Sequence, residues 1–253
     1  MSTGIVARLR APLPHRIDLG DALPEGWTTL GPEDLARGPV RVDGRTAALG
    51  DLFDLRGSAT GWLRFEGDLG GADRIAAGLT QGTVEVEGDA GDEAGAGLAG
   101  GALLVRGRAG ARAGGAAAEA RRGMTGGEVV VFGDAGPEAG GRMRRGLLAI
   151  GGRSGSHPGA GMLAGTVVLI GPAGASPGLW SKRGSIVALG PIDVPPTYRL
   201  ACTYRPVYLR LILGRLGARY GLPIEARHLS GLYRRHSGDL ADLGKGEILE
   251  WTA

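Results

Sequence analysis

Cysteine occurs once in these 253 residues, as Cys202, so the chain can build no disulfide framework, iron–sulfur motif or cysteine-based zinc site of its own. Aromatic residues make up 5%, which suits a narrow core and leaves few surfaces for stacking nucleobases. No apolar run approaches the length of a membrane span, and the opening MSTGIVARLRAPLPHRIDLG lacks the apolar centre of a signal peptide. The chain therefore reads as cytoplasmic, without membrane contact. Its four histidines, His15, His157, His228 and His236, form neither H-x-H nor H-E-x-x-H, so the histidine ligand set of a β-helix carbonic anhydrase is missing. The net charge of +3 and pI near 9.3 lean basic, with arginine far ahead of lysine, but no nucleic-acid motif accompanies the arginines.

What is abundant is glycine, 50 residues in all. A glycine stands six residues before another at Gly38/Gly44, Gly61/Gly67, Gly82/Gly88, Gly101/Gly107, Gly127/Gly133, Gly146/Gly152, Gly165/Gly171 and Gly184/Gly190. From Gly133 onward the step is a constant 19 residues. Such a period marks a solenoid and excludes collagen, which needs glycine at every third place. The second and fourth residues after each opening glycine are apolar, from Val40/Val42 and Leu63/Phe65 through to Ile186/Ala188. Alternate residues of a strand share a face, so these two columns are the expected core. After the closing glycine comes G-x-x-G-x-x-x-G, with a small residue (Ala90, Ala109, Ala135, Ser154, Ala173) between its first two glycines. These are the features of sharp corners and close backbone approach. The expectation is an all-β parallel β-helix of about eight coils over residues 38–194, preceded by a lead-in or cap over 1–37 and followed by an extension over 195–253. The segment AAAEARRGM within the long step from Gly107 to Gly133 is expected to protrude as a loop.

The outward strand positions change character along the chain. Arg41/Asp43, Arg64/Glu66 and Glu85/Glu87 read as a solvated face, whereas Val130/Phe132, Val168/Ile170 and Val187/Leu189 are apolar. A strand apolar on both faces is buried on both. In RPVYLRLILGRLGARYG, Leu209, Ile212, Leu213, Leu216 and Tyr220 fall on one side of a helix that Gly221-Leu222-Pro223 would stop. That helix is one cover for the late coils; a partner polypeptide is the other.

No catalytic constellation emerges. Gly152-Arg153-Ser154-Gly155-Ser156 imitates a nucleophile elbow only because glycine is everywhere, and no phosphate-loop lysine follows a glycine-rich spacer. His157, in GSHPG, reads as a corner residue. Basic side chains do gather: Arg144 and Arg145 precede one strand-opening glycine, Lys182 and Arg183 hold the same places two coils later, and Arg142 and the loop pair Arg121/Arg122 lie near the same edge. Such a ridge is either a solvated rim or a track for a polyanion or an acidic neighbouring subunit.

The G-x-x-G-x-x-x-G strands resemble the C subunit of formylmethanofuran dehydrogenase and also the C-terminal β-helix domain of glutamate synthase. Gly50-Asp51-Leu52-Phe53-Asp54-Leu55-Arg56-Gly57 looks like the segment preceding the coils in the dehydrogenase protein. Tyr233-Arg234-Arg235-His236-Ser237-Gly238-Asp239-Leu240, then Gly244-Lys245-Gly246-Glu247-Ile248, looks like its terminal signature. The alanine- and arginine-rich composition resembles the bacterial version, the formyltransferase/hydrolase complex. The resemblance implies a right-handed β-helix subunit with no catalytic residue, metal or cofactor of its own. Its implied partners are an amidohydrolase-like subunit, a subunit related to the molybdopterin enzyme, and a formyltransferase. The implied assembly moves a formyl group from formyl-tetrahydromethanopterin to a methanofuran-like carrier and hydrolyses it to formate. Three alternatives stay open: the archaeal dehydrogenase that reduces carbon dioxide, a glutamate-synthase-type domain, and a hexapeptide-type acyltransferase, against which the 19-residue step speaks.

Overall fold

A computed structural model describes residues 4–13 and 15–252; residues 1–3 of the expected lead-in, Pro14 and Ala253 lie outside the described residues. The first part of the chain holds β1 (Ile5–Leu9), β2 (Ile17–Asp18), α1 (Pro32–Leu35), β3 (Pro39–Val42), β4 (Arg45–Ala48), α2 (Leu49–Leu52), β5 (Phe53–Arg56), β6 (Trp62–Glu66) and β7 (Ala72–Asp73). Then come β8 (Thr83–Val86), β9 (Ala102–Val105), β10 (Glu128–Val131), β11 (Leu147–Ile150), β12 (Thr166–Leu169) and β13 (Ser185–Ala188). The extension contributes β14 (Arg199–Tyr204), α3 (Val207–Tyr220), α4 (Ala226–Ser230), β15 (Leu232–Gly238) and β16 (Gly246–Thr252).

One 12-stranded sheet dominates, in the order β14-β15-β16-β13-β12-β11-β10-β9-β8-β6-β1-β5. From β1 to β16 every neighbouring pair is parallel. Antiparallel partners close the ends, β5 beside β1 and the pair β14–β15 beside β16. Register keeps like columns together: Leu103 faces Val84 and Val129, and Leu148 faces Val167. The seven-residue excess between β9 and β10 leaves the register unchanged, because it is taken up outside the strands. A second wall runs through single parallel bridges that join Leu69, Ala90, Ala109, Ala135 and Ser154 in turn. From Ala90 onward these are the small residues of the corner motif, and all five are buried. The result is a β-helix-like solenoid.

Between the walls the interior is dry. The paired columns from Leu63/Phe65 to Ile186/Ala188 are at most 2% exposed. Met124, Met143 and Met162, spaced by 19 residues, join the same core; the unbranched thioether fills irregular gaps between converging walls. At the far end the Tyr198 hydroxyl donates to the Gly178 carbonyl at 3.0 Å and meets Ser181 Oγ at 2.6 Å, satisfying its polar tip inside the core. The glycine pattern separates into two physical demands. Gly101 opens its strand at φ +68, in the left-handed region. Gly110 is not in that region, but a Cβ there would lie 2.2 Å from Asp92 Oδ1 of the coil below, so close stacking requires its absence.

The expected first coil at Gly38/Gly44 is not a coil. β3 pairs antiparallel with β2 and β4 in a separate four-stranded sheet. Asp43 and Gly44, at φ 49 and 74, make the two-residue turn whose positive angles match the twist of a hairpin. The stack is instead completed from outside the glycine repeat: β1 adds a rung before β6 and β16 adds one after β13. Glu85 also departs from expectation. It is 3% exposed, accepts from Arg106 Nε at 2.7 Å and lies near Arg64, so the strand face around it is ion-paired rather than solvated.

Polar side chains reinforce the stacking. Asp89 accepts from the Arg108 backbone N–H at 2.7 Å, Asp92 from Ala111 at 2.8 Å and Asp134 from Arg153 at 2.7 Å, each one coil on. The Arg108 backbone N–H, then its guanidinium, hold the Asp89 carboxyl below its ordinary 3.8. A depressed carboxylate contributes stability above the unfolded value that is lost as pH falls through the folded one. Asp89→Asn should therefore shrink the decline in urea midpoint on acidification from about pH 5 downward. Leu103→Ala, at a site with no exposure, should lower unfolding free energy by about 2–5 kcal/mol in chemical denaturation.

Candidate partner-binding surfaces

Helix α3 lies over the outward face of the late strands. Leu209, Leu213, Leu216 and Tyr220 share one buried cluster with Leu104, Val130, Ala149, Val168, Val187 and Leu249. Spacing of three and four puts those helix residues on one side, and Gly221 ends the helix at φ 73 with its N–H donating to the Gly217 carbonyl at 2.9 Å. Ile212 is only partly buried at the margin. Glu128, at the start of β10, accepts hydrogen bonds from Arg215 and from the Tyr220 hydroxyl. Burial, then the bond to Glu128, push that hydroxyl up to about 12. Sequence reasoning missed this tether, because an acid before three valines reads as a strand end. At the edge of the covered zone Arg106 lies 4.4 Å from the Phe132 ring centre while bonded to Glu85, a charged border to the apolar face.

The corners carry a second ladder that the sequence did not reveal. Arg74, Glu93, Arg112, Glu138, His157 and Ser176 all adopt φ between 54 and 60. In that region L-residues cost roughly 1–2 kcal/mol each. Charge-assisted contacts offset this: Arg74 makes a fork with Asp18 at 2.8 and 2.6 Å, and Arg112 binds Glu93 at 3.0 and 2.9 Å. Glu93 further accepts from the Ala118 backbone at 2.9 Å, pinning the inserted loop. Residues 118–119 and 121–122 of that loop are exposed, between buried Ala116 and Met124.

The pairs Arg144/Arg145 and Lys182/Arg183 occupy equivalent corner positions. Arg144 N–H donates to the Met124 carbonyl and Lys182 N–H to Met162, with Leu163 bonded in the same way to Met143 between them. Two coil steps, about 10 Å, therefore separate the basic pairs. They do not form one free cationic surface. Arg142 Nη1 donates to the Ala120 carbonyl at 3.0 Å, Lys182 lies 3.7 Å from Asp242, and Arg144 is half-buried. Arg145 and Arg183 are exposed and have no ion pair among the described residues. Arg142 lines a surface cleft of about 250 Å³ with Arg112, Glu138, Gly161 and Trp180.

Of the other histidines, His236 Nε2 sits 3.0 Å from Glu250, and buried His228 accepts from the Glu225 N–H at 3.1 Å. Burial, opposed by Glu225, holds His228 below its ordinary value. Among the described residues no three His, Cys, Asp or Glu side chains group as a metal site, and no helix is long and apolar enough to cross a membrane.

The fold and these surfaces define a class: a glycine-cornered solenoid with a packed interior and a helical flank. No family model matches the chain. The C subunit of the formyltransferase/hydrolase complex Fhc of Methylorubrum extorquens is 36% identical over 84 residues, 33% of this chain and 32% of that protein, so the matched stretch spans about a third of the curated relative. A chain in the crystal structure of the formyltransferase/hydrolase complex FhcABCD from the same organism, solved with methylofuran, superposes with a TM-score of 0.82 at 34% identity. That superposition covers 98% of this chain and 100% of the other. The protein belongs to the family formed by the C subunits of formyltransferase/hydrolase complexes.

If α3 is what dries the late strands, Leu213→Ala should cost about 2–5 kcal/mol and raise binding of a hydrophobic dye under native conditions.

Proposed function

We propose that this chain is a non-catalytic structural subunit that holds the catalytic subunits of a formyltransferase/hydrolase complex in place. Its repeat would close into a right-handed parallel β-helix, with residues 1–37 as lead-in, 38–194 as the body, less the hairpin at its start, and 195–253 as the covering extension. The partners would be an amidohydrolase-like subunit, a molybdopterin-enzyme-like subunit without its cofactor, and a formyltransferase. Together they would pass a formyl group from formyl-tetrahydromethanopterin through a methanofuran-like carrier to formate. The observation that carries this reading is the match along essentially the whole chain to a chain of the FhcABCD complex. The interior agrees with it: core columns at most 2% exposed leave no space for a reaction centre between the walls.

The ridge of Arg142, Arg144, Arg145, Lys182 and Arg183 fits the same role as a contact for an acidic subunit or a polyanionic carrier tail, with Arg145 and Arg183 free to supply the contact. A tagged chain expressed in its native cell should bring down an amidohydrolase-like protein and a formyltransferase; recovery of a self-associated trimer alone would overturn the reading in favour of an acyltransferase. Charge reversal at Arg145 and Arg183 should weaken assembly or carrier-dependent activity several-fold at low salt, with the loss masked near 1 M salt, where the screening length is about 3 Å. Unchanged assembly and activity would mark the ridge as a solvated rim.

A further inference from the structure

The charge of the chain is unevenly placed. Residues 195–253 hold nine Lys and Arg against five Asp and Glu, a surplus of four, while the whole chain has a surplus of three. The extension thus carries all of the protein's excess positive charge. Four of its nine cations are ion-paired: Arg215 with Glu128, Arg227 with Glu225, Arg234 with Glu250 and Arg235 with Glu247. Arg199, Arg205 and Arg210 are exposed and have no acidic partner among the described residues.

Two of these three cations border an apolar groove. Arg205, Val207, Arg210, Leu229, Gly231 and Tyr233 line a depression of about 150 Å³ between the start of α3 and the turn from α4 into β15. Val207 in the groove is 74% exposed, and Leu211, one turn along α3 and outside its lining, is 78% exposed. Burying such side chains against a partner would be favourable, because it removes apolar surface from water. Apolar side chains rimmed by arginine are the composition of a binding hot spot, not of a solvated surface. Beside the groove runs β14, the terminal strand of the sheet, which is paired only on its β15 side and exposed along five of its six residues. Its irregularity falls between Leu200 and Cys202, so the regular part of this free edge, Cys202–Tyr204, is the part that leads into Arg205. An open edge of this kind is a template for one more strand.

We propose that this end of the molecule docks an extended acidic segment of a partner polypeptide. The segment would add to the free edge of β14, set carboxylates against Arg205 and Arg210, and place an aliphatic side chain between them against Val207 and Leu229. A second copy of this chain is the wrong occupant, because pairing two such ends would bring Arg199, Arg205 and Arg210 against their own like charges. The inference rests on the assembly reading above and adds to it the surface and the chemistry of one contact.

The protein supplies its own probe. Cys202 is the sole cysteine of this chain, is exposed and lies on the β14 edge, so the maleimide adduct on this chain, read by its mass, reports on this surface alone. Labelling should be slower by at least about ten-fold in the complex purified from native cells than in the isolated chain, since thiol reactivity follows access. Arg205→Glu with Arg210→Glu should abolish the protection, whereas Arg205→Lys with Arg210→Lys, which keeps the charge, should retain most of it. A complex that assembles with Cys202 as reactive as in the free chain overturns the docking proposal and leaves the assembly reading standing. Absence of any co-purifying protein removes the assembly reading and this inference with it. Concentration-dependent protection in the isolated chain would assign the groove to a second copy and equally refute the acidic-partner proposal.

Discussion

Everything in this molecule depends on parallel strands holding one register from rung to rung. With like residues stacked directly on like, Leu103 between Val84 and Val129, each coil offers its neighbour a surface of the same shape. Burial is then a property of the stack and not of any single turn, which is why such architectures need several repeats to be stable. The two kinds of glycine serve this register in different ways. One lets the chain turn into a strand at a positive φ, and the other lets adjacent backbones approach where any side chain would collide with the coil below. Aspartates at the corners tighten the same stacking by accepting backbone N–H groups from the next coil, so the polar rim and the dry interior enforce one spacing.

The interior being full, the chemical variety of the molecule lies on the outside. The outward faces of the strands grade from ion pairs around Glu85 and Arg106 to an apolar sheet covered by α3, with the cation over Phe132 at the transition. Glu128 fixes where the helix lies by holding two of its side chains at once. The α3 helix thus presents two different surfaces: the one carrying Leu209, Leu213 and Leu216 belongs to the fold, and the other, with Val207 and Leu211, faces solvent.

Much of this was legible in the residues. The columns from Leu63/Phe65 to Ile186/Ala188 are where the repeat placed them, because a fixed spacing from each opening glycine sets which residues of the strand face inward. The helix and its glycine stop were readable for the same reason. The failures have equally definite causes. Gly38 to Gly44 has the spacing of a coil, but Asp43-Gly44 is also a hairpin turn, and the turn chemistry won. Strands β1 and β16 were missed because they join the stack without the flanking glycine pair. Glu85 was misread because its partner Arg106 lies 21 residues away, one coil on, and pairing between coils cannot be seen in either strand alone. The corner ladder of Arg74, Glu93 and Arg112 was hidden by the assumption that positive φ requires glycine. The pairs Arg144/Arg145 and Lys182/Arg183 sit at equivalent corners, but spacing alone could not show that Lys182 is near Asp242 or that Arg142 is engaged with the loop.

The constant 19-residue step of the late coils makes the rod a ruler. Each step adds about 4.8 Å along the axis, and the seven-residue insertion before β10 shows that extra chain is absorbed at a corner without disturbing that increment. Duplicating one late coil would move the β14 end away from the N-terminal hairpin by a single graduation while leaving both ends chemically intact. The distance between the two ends is therefore counted in whole coils.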